Sequence, residues 1–229
     1  MELKQFTYLL LMLFALVIPL IFSFNKKVQF FSNLKYLLPS VIFPGAIFIL
    51  WDIRFTQLDI WRFNPDFVSN LTIFNLPVGE WLFFVAVPWF SMLIYETLKI
   101  KINRFEQPNF FLALSLVLLI LFGLLAWFSR EKIFTFFTFF LLTIYFGYTI
   151  FRNRFKTYYT KFYLAYFISL IPFLIIRVIQ TELPVVIYNS AQIIGPRIIN
   201  VPVENLGYFF LLFLMNVTIY EYLRERQLY

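Results

Sequence analysis

The chain of 229 residues is 62% apolar and only 14% charged, whereas a soluble domain is about half apolar and about one quarter charged. So few charged residues cannot cover the surface of a soluble domain of this length. The composition therefore excludes a soluble globular protein and predicts an all-α integral membrane protein.

Two missing residue types narrow the possible chemistry. The chain contains neither cysteine nor histidine, so it has no disulfides, no cysteine-based metal site and no cysteine nucleophile. The lack of histidine also removes the commonest general base and metal ligand. We therefore expect no metal and no cofactor, and any acid–base chemistry must use Asp, Glu, Tyr or Lys.

Seven apolar stretches predict seven transmembrane helices. The first has no sizeable basic segment before it and no small-residue cleavage site, which favours a retained helix over a signal peptide. The second is short for a span and contains Pro39, Pro44 and Gly45, so we expect a kink there. The predicted helices cover residues 3–24, 34–51, 77–98, 110–128, 133–151, 162–180 and 202–223.

The net charge of +7 comes mostly from lysines and arginines in the loops. More of them flank one end of the predicted helices, including Lys26, Lys27, Lys99, Lys101 and Arg224. The positive-inside rule then predicts a multi-pass protein of the cell (inner) membrane, with its C-terminus in the cytoplasm and its N-terminus outside. Because the basic residues are scattered among apolar spans, we expect no nucleic-acid partner.

An internal repeat divides the chain. The segment NLPV at 75–78 matches NVPV at 200–203, and IYE at 94–96 matches IYE at 219–221, with one spacing of 125 residues throughout. Two three-helix units fused directly would have opposite orientations, and one additional crossing makes them parallel. We therefore predict seven helices arranged 3+1+3 as two parallel repeats, with a binding site between them. The predicted units are 1–104, a linking helix within 105–130, and 131–229.

The third helix of each unit is predicted to begin in the same way. Asn75 and Asn200 are suitable helix caps, and a proline fits the first turn. The next two residues are Gly79 and Glu80 in the first unit, and Glu204 and Asn205 in the second. Carboxyl groups inside a membrane protein suggest a functional site. The alternative is that both acids lie exposed near the lipid headgroups.

Other charged residues recur between the repeats. Glu96 and Glu221 end the third helix of each unit, and we expect a structural role for them, paired with Lys99 or Arg224. Asp52 and Arg177 occupy equivalent positions, which suggests an ion pair across the repeat interface.

Aromatic residues are abundant, and several lie near the predicted acids in the sequence. Aromatic faces attract cations. A carboxylic acid that protonates an alkene, beside rings that stabilise the carbocation, is suited to cyclisation without a metal or redox cofactor. The candidate pocket residues are Trp51, Trp61, Phe63, Phe74, Trp81, Phe83, Phe84, Tyr188 and Tyr208.

At these residues the chain resembles the membrane-integral lycopene cyclases of the heterodimeric type, which also occur as fused bacterial chains and as the cyclase part of a fungal bifunctional enzyme. The stretches that carry the resemblance are FNPDF at 63–67, FNLPVGEWLFF at 74–84, NVPVEN at 200–205 and LMNVTIYEYL at 214–223. The family motif is Pro-x-Glu-Glu or Pro-x-Glu-Asp in each unit. Here Gly79 and Asn205 each replace one acid.

The resemblance implies proton-triggered closure of a terminal ring on a linear carotenoid such as lycopene. It assigns acid–base catalysis to Glu80 and Glu204. The expected partners are membrane lipid, a hydrophobic carotenoid or other isoprenoid, and enzymes of carotenoid synthesis, and the oligomeric state is open. We expect the substrate-binding residues to be Trp61, Asn75, Trp81, Phe84, Asn200, Asn205 and Tyr208.

Several alternatives stay open at this point. The chain is also compatible with a cyclase of another isoprenoid, an inactive paralogue, or a non-catalytic partner of a carotenoid or lipid enzyme. Small-solute transporters share the 3+1+3 layout. They need polar groups at the middle of the membrane, however, and the predicted helices here are nearly all apolar at their centres.

Overall fold

The computed structural model of the chain describes residues 3–24, 28, 30–152 and 154–226. Lys26 and Lys27, which contribute to the predicted orientation, lie outside the described residues. Within the described part of the chain, seven helices are long and apolar enough to cross a membrane. This confirms the seven predicted helices and a multi-pass membrane protein. The orientation of the termini stays a prediction.

The helices agree with the predicted stretches to within a few residues at most ends. The second helix is the exception, because it runs through Pro39, Pro44 and Gly45 for 24 residues. The prediction that it is short was therefore wrong. Prolines are tolerated in membrane helices where neighbouring groups satisfy the freed carbonyls. The helices are α1 (Thr7–Ser23), α2 (Leu34–Gln57), α3 (Val78–Lys101), α4 (Pro108–Phe128), α5 (Ile133–Phe151), α6 (Tyr159–Glu182) and α7 (Glu204–Glu225).

The helices α3 and α7 form the centre of the bundle. In each, 72% of the most apolar 18-residue window is buried, compared with 22% in α1 and α4. The helix α3 packs on α1, α2, α6 and α7, while α7 packs on α2 and α5. The linking helix α4 packs mainly on α5 and so lies at the periphery. A site between α3 and α7 is therefore shielded from lipid by the other helices.

Short strands in the loops were missed by the sequence analysis, because two or three residues are too few to show a period. The strands are β1 (Trp61–Phe63), β2 (Thr72–Ile73), β3 (Leu76–Pro77), β4 (Val186–Tyr188), β5 (Arg197–Ile198) and β6 (Val201–Pro202). The strands β1 and β4, one from each unit, pair antiparallel. They form a ribbon between the two halves of the molecule.

The other strands form two hairpins, β2–β3 and β5–β6, that precede α3 and α7. Their registers are the same after a shift of 125 residues: Thr72 faces Pro77 as Arg197 faces Pro202. The ribbon is symmetric under the same shift, which relates Trp61 to Val186 and Phe63 to Tyr188. Trp61 faces Tyr188, and Phe63 correspondingly faces Val186. These registers agree with the sequence repeat, and the parallel 3+1+3 arrangement stays a prediction.

The hairpins overturn one local prediction. Asn75 lies in the exposed turn between β2 and β3, with φ of 64°. Asn200 lies in the equivalent exposed turn between β5 and β6. The residues that precede α3 and α7 are Pro77 and Val203, and neither caps its helix through a side chain. The prediction of asparagine caps was therefore wrong.

A polar network closes the bundle where α3 and α7 end. The Lys99 ammonium contacts Glu96 at 3.1 Å and Glu221 at 2.5 Å. The Arg224 guanidinium contacts Glu96 at 3.4 Å, and the Tyr95 hydroxyl donates to Glu221 at 2.9 Å. All of these contacts except that between Lys99 and Glu96 join one unit to the other. They confirm the predicted pairing of both glutamates with Lys99 or Arg224.

Candidate active site

A small cavity lies between the two units at the opposite end of the bundle, where α3 and α7 begin. Its volume is about 10 Å³, close to what one water molecule needs. The β1–β4 ribbon contributes one side of it. The cavity is lined by Asp52, Trp61, Glu80, Phe134, Arg177, Val186, Tyr188, Asn205 and Tyr208.

Two buried carboxyl groups form the centre of this cavity. Asp52, on α2, is 1% exposed, and Glu80, in the first turn of α3, is 2% exposed. The two carboxyl groups line the same small cavity and interact electrostatically with each other. A carboxylate has no donor, so two carboxyls can hydrogen-bond only when one of them carries a proton. Two buried acids in one cavity are therefore suited to the transfer of a proton.

A tyrosine hydroxyl donates to each carboxyl of the pair. Tyr208, on α7, donates to Asp52, and Tyr8, on α1, donates to Glu80. Both tyrosines are 2% exposed or less. The pair is therefore fixed by hydrogen bonds from a helix of each unit, which orients the carboxyl oxygens without water.

Arg177, on α6, is the cation of the site. Its guanidinium lies 4.1 Å from the centre of the Phe83 ring, and one of its nitrogens donates to Gln180 Oε1 at 3.0 Å. It also attracts Asp52 and Glu80 electrostatically. No ion pair within 4.0 Å joins Arg177 to Asp52 among the described residues, so the predicted direct pair is not formed. The guanidinium therefore acts on the two carboxyl groups at longer range.

Gly79 creates the space that Tyr8 occupies. A Cβ at position 79 would lie 2.7 Å from the Tyr8 ring, closer than any real contact allows. The equivalent position of the second unit carries a side chain, that of Glu204. The first unit therefore has a tyrosine from α1 against a glycine, where the second unit has an acid.

Asn205 is the repeat equivalent of Glu80 and also faces the cavity. Its side-chain oxygen accepts from the Tyr188 hydroxyl at 2.9 Å, and its nitrogen donates to the Pro202 carbonyl at 3.2 Å. Neither atom bonds Glu80. Burial raises the pKa of Tyr188 above its usual value of 10.0, so the hydroxyl stays protonated and donates to Asn205.

Glu204 lies beside Asn205 on α7 but does not line the cavity. Its Oε1 accepts from the Thr135 hydroxyl at 2.5 Å and from the Ile194 amide at 2.8 Å. Its Oε2 is buried and has no hydrogen-bond partner among the residues that the structure describes. The side chain is 0% exposed, which excludes the alternative that it is an exposed acid near the headgroups.

Only some of the predicted site residues line the cavity. Glu80, Trp61, Asn205 and Tyr208 line the cavity together. Phe84 is buried next to it and packs on Phe48, whose ring in turn contacts Tyr208. Three others lie outside the cavity: Asn75 and Asn200 in the hairpin turns, and Trp81, whose indole donates to Ile73 at 3.3 Å. Among the described residues, no three acidic side chains form a group that could hold a metal ion.

Comparison with known proteins identifies the family. The family model described as lycopene cyclase matches residues 5–98 and 131–223. The chain belongs to the lycopene cyclase family. The two matched segments contain the two sets of three helices, and α4 lies outside both. Neither a search of curated proteins nor a search of solved structures gives a match.

Membership of the lycopene cyclase family supports carotenoid cyclisation as the general function of the chain. The cavity is built around one of the family's motif positions, Glu80. Four further contributors were not predicted from the sequence: Tyr8, Phe134, Val186 and the proximity of Asp52 to Glu80. Tyr8 lies 72 residues from Glu80 and had no signal of its own. The glycine at a motif position was the only sign that something else fills that space.

Proposed function

We propose that this chain is a carotenoid cyclase in which the Asp52–Glu80 pair supplies and then recovers the proton that drives ring closure. The observation that carries the proposal is the placement of two buried carboxyl groups in one small cavity at the interface of the repeats. A buried carboxylic acid that stays protonated is a strong donor toward an alkene, since its conjugate base is poorly solvated.

The reaction balances without an oxidant or reductant. One carboxyl of the pair gives its proton to the terminal double bond of the linear carotenoid, which leaves a tertiary carbocation. The π electrons of the next double bond in reach attack this cation and close a six-membered ring. The new cation then loses a proton to the carboxylate. The product has the same composition as the substrate, and the pair again holds one proton.

The aromatic lining suits the cationic intermediates. The rings of Trp61, Phe134, Tyr188 and Tyr208 surround the carboxyl pair, and ring faces stabilise cations most strongly where water is excluded. With one proton shared by the carboxyls, their remaining negative charge is balanced by Arg177. The resting site is therefore neutral overall, which lowers the cost of burying it in a membrane protein.

Substrate entry requires the site to open. A cavity of about 10 Å³ is far smaller than the volume of about 300 Å³ or more that binds a compound with a ring. The β1–β4 ribbon forms one side of the cavity, and its strands of three residues are joined by a short ladder of backbone hydrogen bonds. We infer that the ribbon and the side chains beneath it move to admit the carotenoid end group.

Tyr8 acts as a positioning residue in this proposal. Its hydroxyl fixes the orientation of Glu80, and its ring fills the space left by Gly79. This packing explains how the first unit retains an ordered acid although it lacks one acid of the family motif. Glu204 stays a prediction as a second catalytic acid, since its carboxyl lies outside the cavity.

The experiment is pigment analysis in a bacterium that accumulates lycopene, with and without the chain. The parent is expected to yield monocyclic or bicyclic products, and Glu80→Gln to yield none. Glu204→Gln keeps an oxygen that can accept from Thr135 and Ile194, so it separates the two candidate acids. Activity that survives in Glu204→Gln but not in Glu80→Gln supports the Asp52–Glu80 pair. Unchanged lycopene with the parent present in the membrane contradicts the proposal.

A further inference from the structure

A groove at the other end of the bundle has no role in the proposed cyclisation. It lies between the last turns of α5 and α7 and the start of the span that contains α6, and its volume is about 360 Å³. We call it the α5–α7 groove. Its walls include the tyrosines Tyr145, Tyr148, Tyr158 and Tyr222, together with Arg152 and Glu225. This volume is in the range of sites that bind small molecules or headgroups.

Two opposite charges face the groove without pairing with each other. Arg152 donates to the Tyr148 hydroxyl, and Glu225 accepts from the Tyr158 hydroxyl at 2.7 Å. Among the ion pairs of the described residues, none includes Arg152 or Glu225. An arginine has five N–H donors and a carboxylate has several acceptor sites, so each group retains free capacity. The groove thus offers a cation and an anion to one ligand.

The equivalent region of the first unit shows whether the fold itself requires polar residues in this groove. Shifted by 125 residues, the α7 wall of the groove corresponds to the end of α3, where a second groove of about 580 Å³ is found. There Leu93 stands in place of Thr218, Thr97 in place of Tyr222, and Ile100 in place of Glu225. The fold and its position in the membrane therefore do not require a polar groove. On the α7 wall, Thr218, Tyr222 and Glu225 are therefore specific to the second unit, whereas Arg152 corresponds in the sequence to another basic residue, Lys27.

An exposed apolar stripe leads to the α5–α7 groove from the middle of the membrane. Phe137, Phe140, Ile144 and Tyr148 lie on one face of α5 and are 40% to 55% exposed. This stripe fits an acyl chain, and it ends where Arg152 and the tyrosines begin. A ligand with a polar head and a long apolar chain matches the stripe and the groove together, whereas a small soluble ion matches only the groove.

We propose that the α5–α7 groove binds the zwitterionic headgroup of a phospholipid, with its phosphate on Arg152 and a primary ammonium on Glu225. Arginine recognises phosphate through paired N–H donors. A primary ammonium has three donors for a carboxylate and also attracts aromatic faces. A quaternary ammonium has no N–H and uses only the rings, so the groove favours ethanolamine over choline headgroups. The inference does not depend on the cyclase proposal.

The test measures which lipids the full-length protein retains after purification from bilayers of defined composition. The bilayers contain phosphatidylethanolamine, phosphatidylcholine and phosphatidylglycerol, and bound lipid is quantified by native mass spectrometry. The parent is expected to retain phosphatidylethanolamine over the other two by about tenfold, as expected for one charge-assisted hydrogen bond. Equal retention of the three lipids overturns the proposal.

Variants assign the two ends of the headgroup. Glu225→Gln is expected to remove the preference for ethanolamine, and Arg152→Gln to reduce retention of all three phosphate-containing lipids. The matched control is Lys101→Gln in the repeat-related groove, which is expected to change nothing. A folded Glu225→Gln protein, as judged by helical circular dichroism, that keeps the preference contradicts the assignment. Displacement of the lipid by soluble glycerophosphoethanolamine also contradicts it, because the acyl chains are expected to hold the lipid in place.

Discussion

The two ends of the central helices bury acidic side chains in opposite ways. Where α3 and α7 end, Glu96 and Glu221 share Lys99 and Arg224, so each carboxylate has a cation in direct contact. Where α3 begins, Glu80 contacts Asp52 and a tyrosine hydroxyl, and no cation is paired with it directly within the described residues. The first arrangement pairs each acid with a cation, and the second places two acids side by side. The contrast separates structural acids from acids suited to chemistry.

The largest effect is expected from Asp52→Asn. The substitution removes one member of the carboxyl pair, so Glu80 no longer shares a proton with a second acid. Because general acid–base catalysis contributes about 10²- to 10⁴-fold, we expect the rate of cyclisation to fall about 10³-fold. The measurement is the yield of cyclic carotenoid per amount of membrane-inserted protein. Glu96→Gln is the control and should retain near-parental yield; a similar loss in both variants removes the distinction between the two ends.

The next effect concerns stability at the other end. Glu221→Ala removes the acid that Lys99 and Tyr95 contact, which leaves a mostly buried ammonium without its nearest partner. Breaking such a pair costs about 3 kcal/mol, and we expect a lower thermal midpoint in detergent with the activity of the folded fraction retained. Glu182→Ala, which removes an exposed carboxylate that accepts only from the exposed Asn200 amide among the contacts of the described residues, is the control and should cost well under about 1 kcal/mol. Equal destabilisation by both changes contradicts the structural role of Glu221.

A smaller effect is expected from Gly79→Ala. The added Cβ meets the Tyr8 ring at 2.7 Å, whereas a Cβ at Gly45 lies at an ordinary 3.6 Å from its nearest neighbour. Overpacking of this kind costs about 2 kcal/mol, so Gly79→Ala should lower the thermal midpoint and Gly45→Ala should not.

The double variant Tyr8→Ala with Gly79→Ala tests the cause. It removes the ring that causes the clash, so the Gly79 substitution should cost less in that background than in the parent. An unchanged cost means that Tyr8 is not the obstacle.

The smallest effect is expected from Tyr8→Phe, which removes only the hydroxyl that donates to Glu80. The loss of one buried hydrogen bond amounts to about 1 kcal/mol, so cyclisation should slow by several-fold while folding is preserved. Tyr166→Phe is the matched control, because its hydroxyl donates to the Leu206 carbonyl, away from the cavity. A role for Tyr8 in orienting Glu80 also predicts that the pH dependence of cyclisation changes in Tyr8→Phe alone.

Much of the architecture could be predicted from the sequence, because apolar runs of about 20 residues and the repeat of motifs have one simple interpretation in a membrane. The ends of α3 and α7 were also predictable, since Glu96 and Glu221 lie next to suitable cations in the sequence. The β1–β4 ribbon was not predictable, since its pairs join residues of different units through strands of three residues.

The site was only half predictable for the same reason. Glu80 stood out as an acid within an apolar stretch and a recurring motif. Its partners Asp52 and Tyr8 come from two other helices, and only tertiary packing decides that Asp52 meets Glu80 rather than Arg177. The asparagine caps were predicted wrongly because a hairpin turn and a helix start favour the same residue types.

The unequal residues at equivalent positions have a consequence for how such a protein can arise. A dimer of identical half-length chains would carry every residue twice, so an aspartate at position 52 would face a second aspartate in place of Arg177, and Glu80 would face a second glutamate in place of Asn205. Four acids would then surround the axis without a guanidinium. Joining the two copies in one polypeptide lets each diverge independently. In this chain, the residues that differ between the two units make their interface a single pocket that contains both acids and a cation.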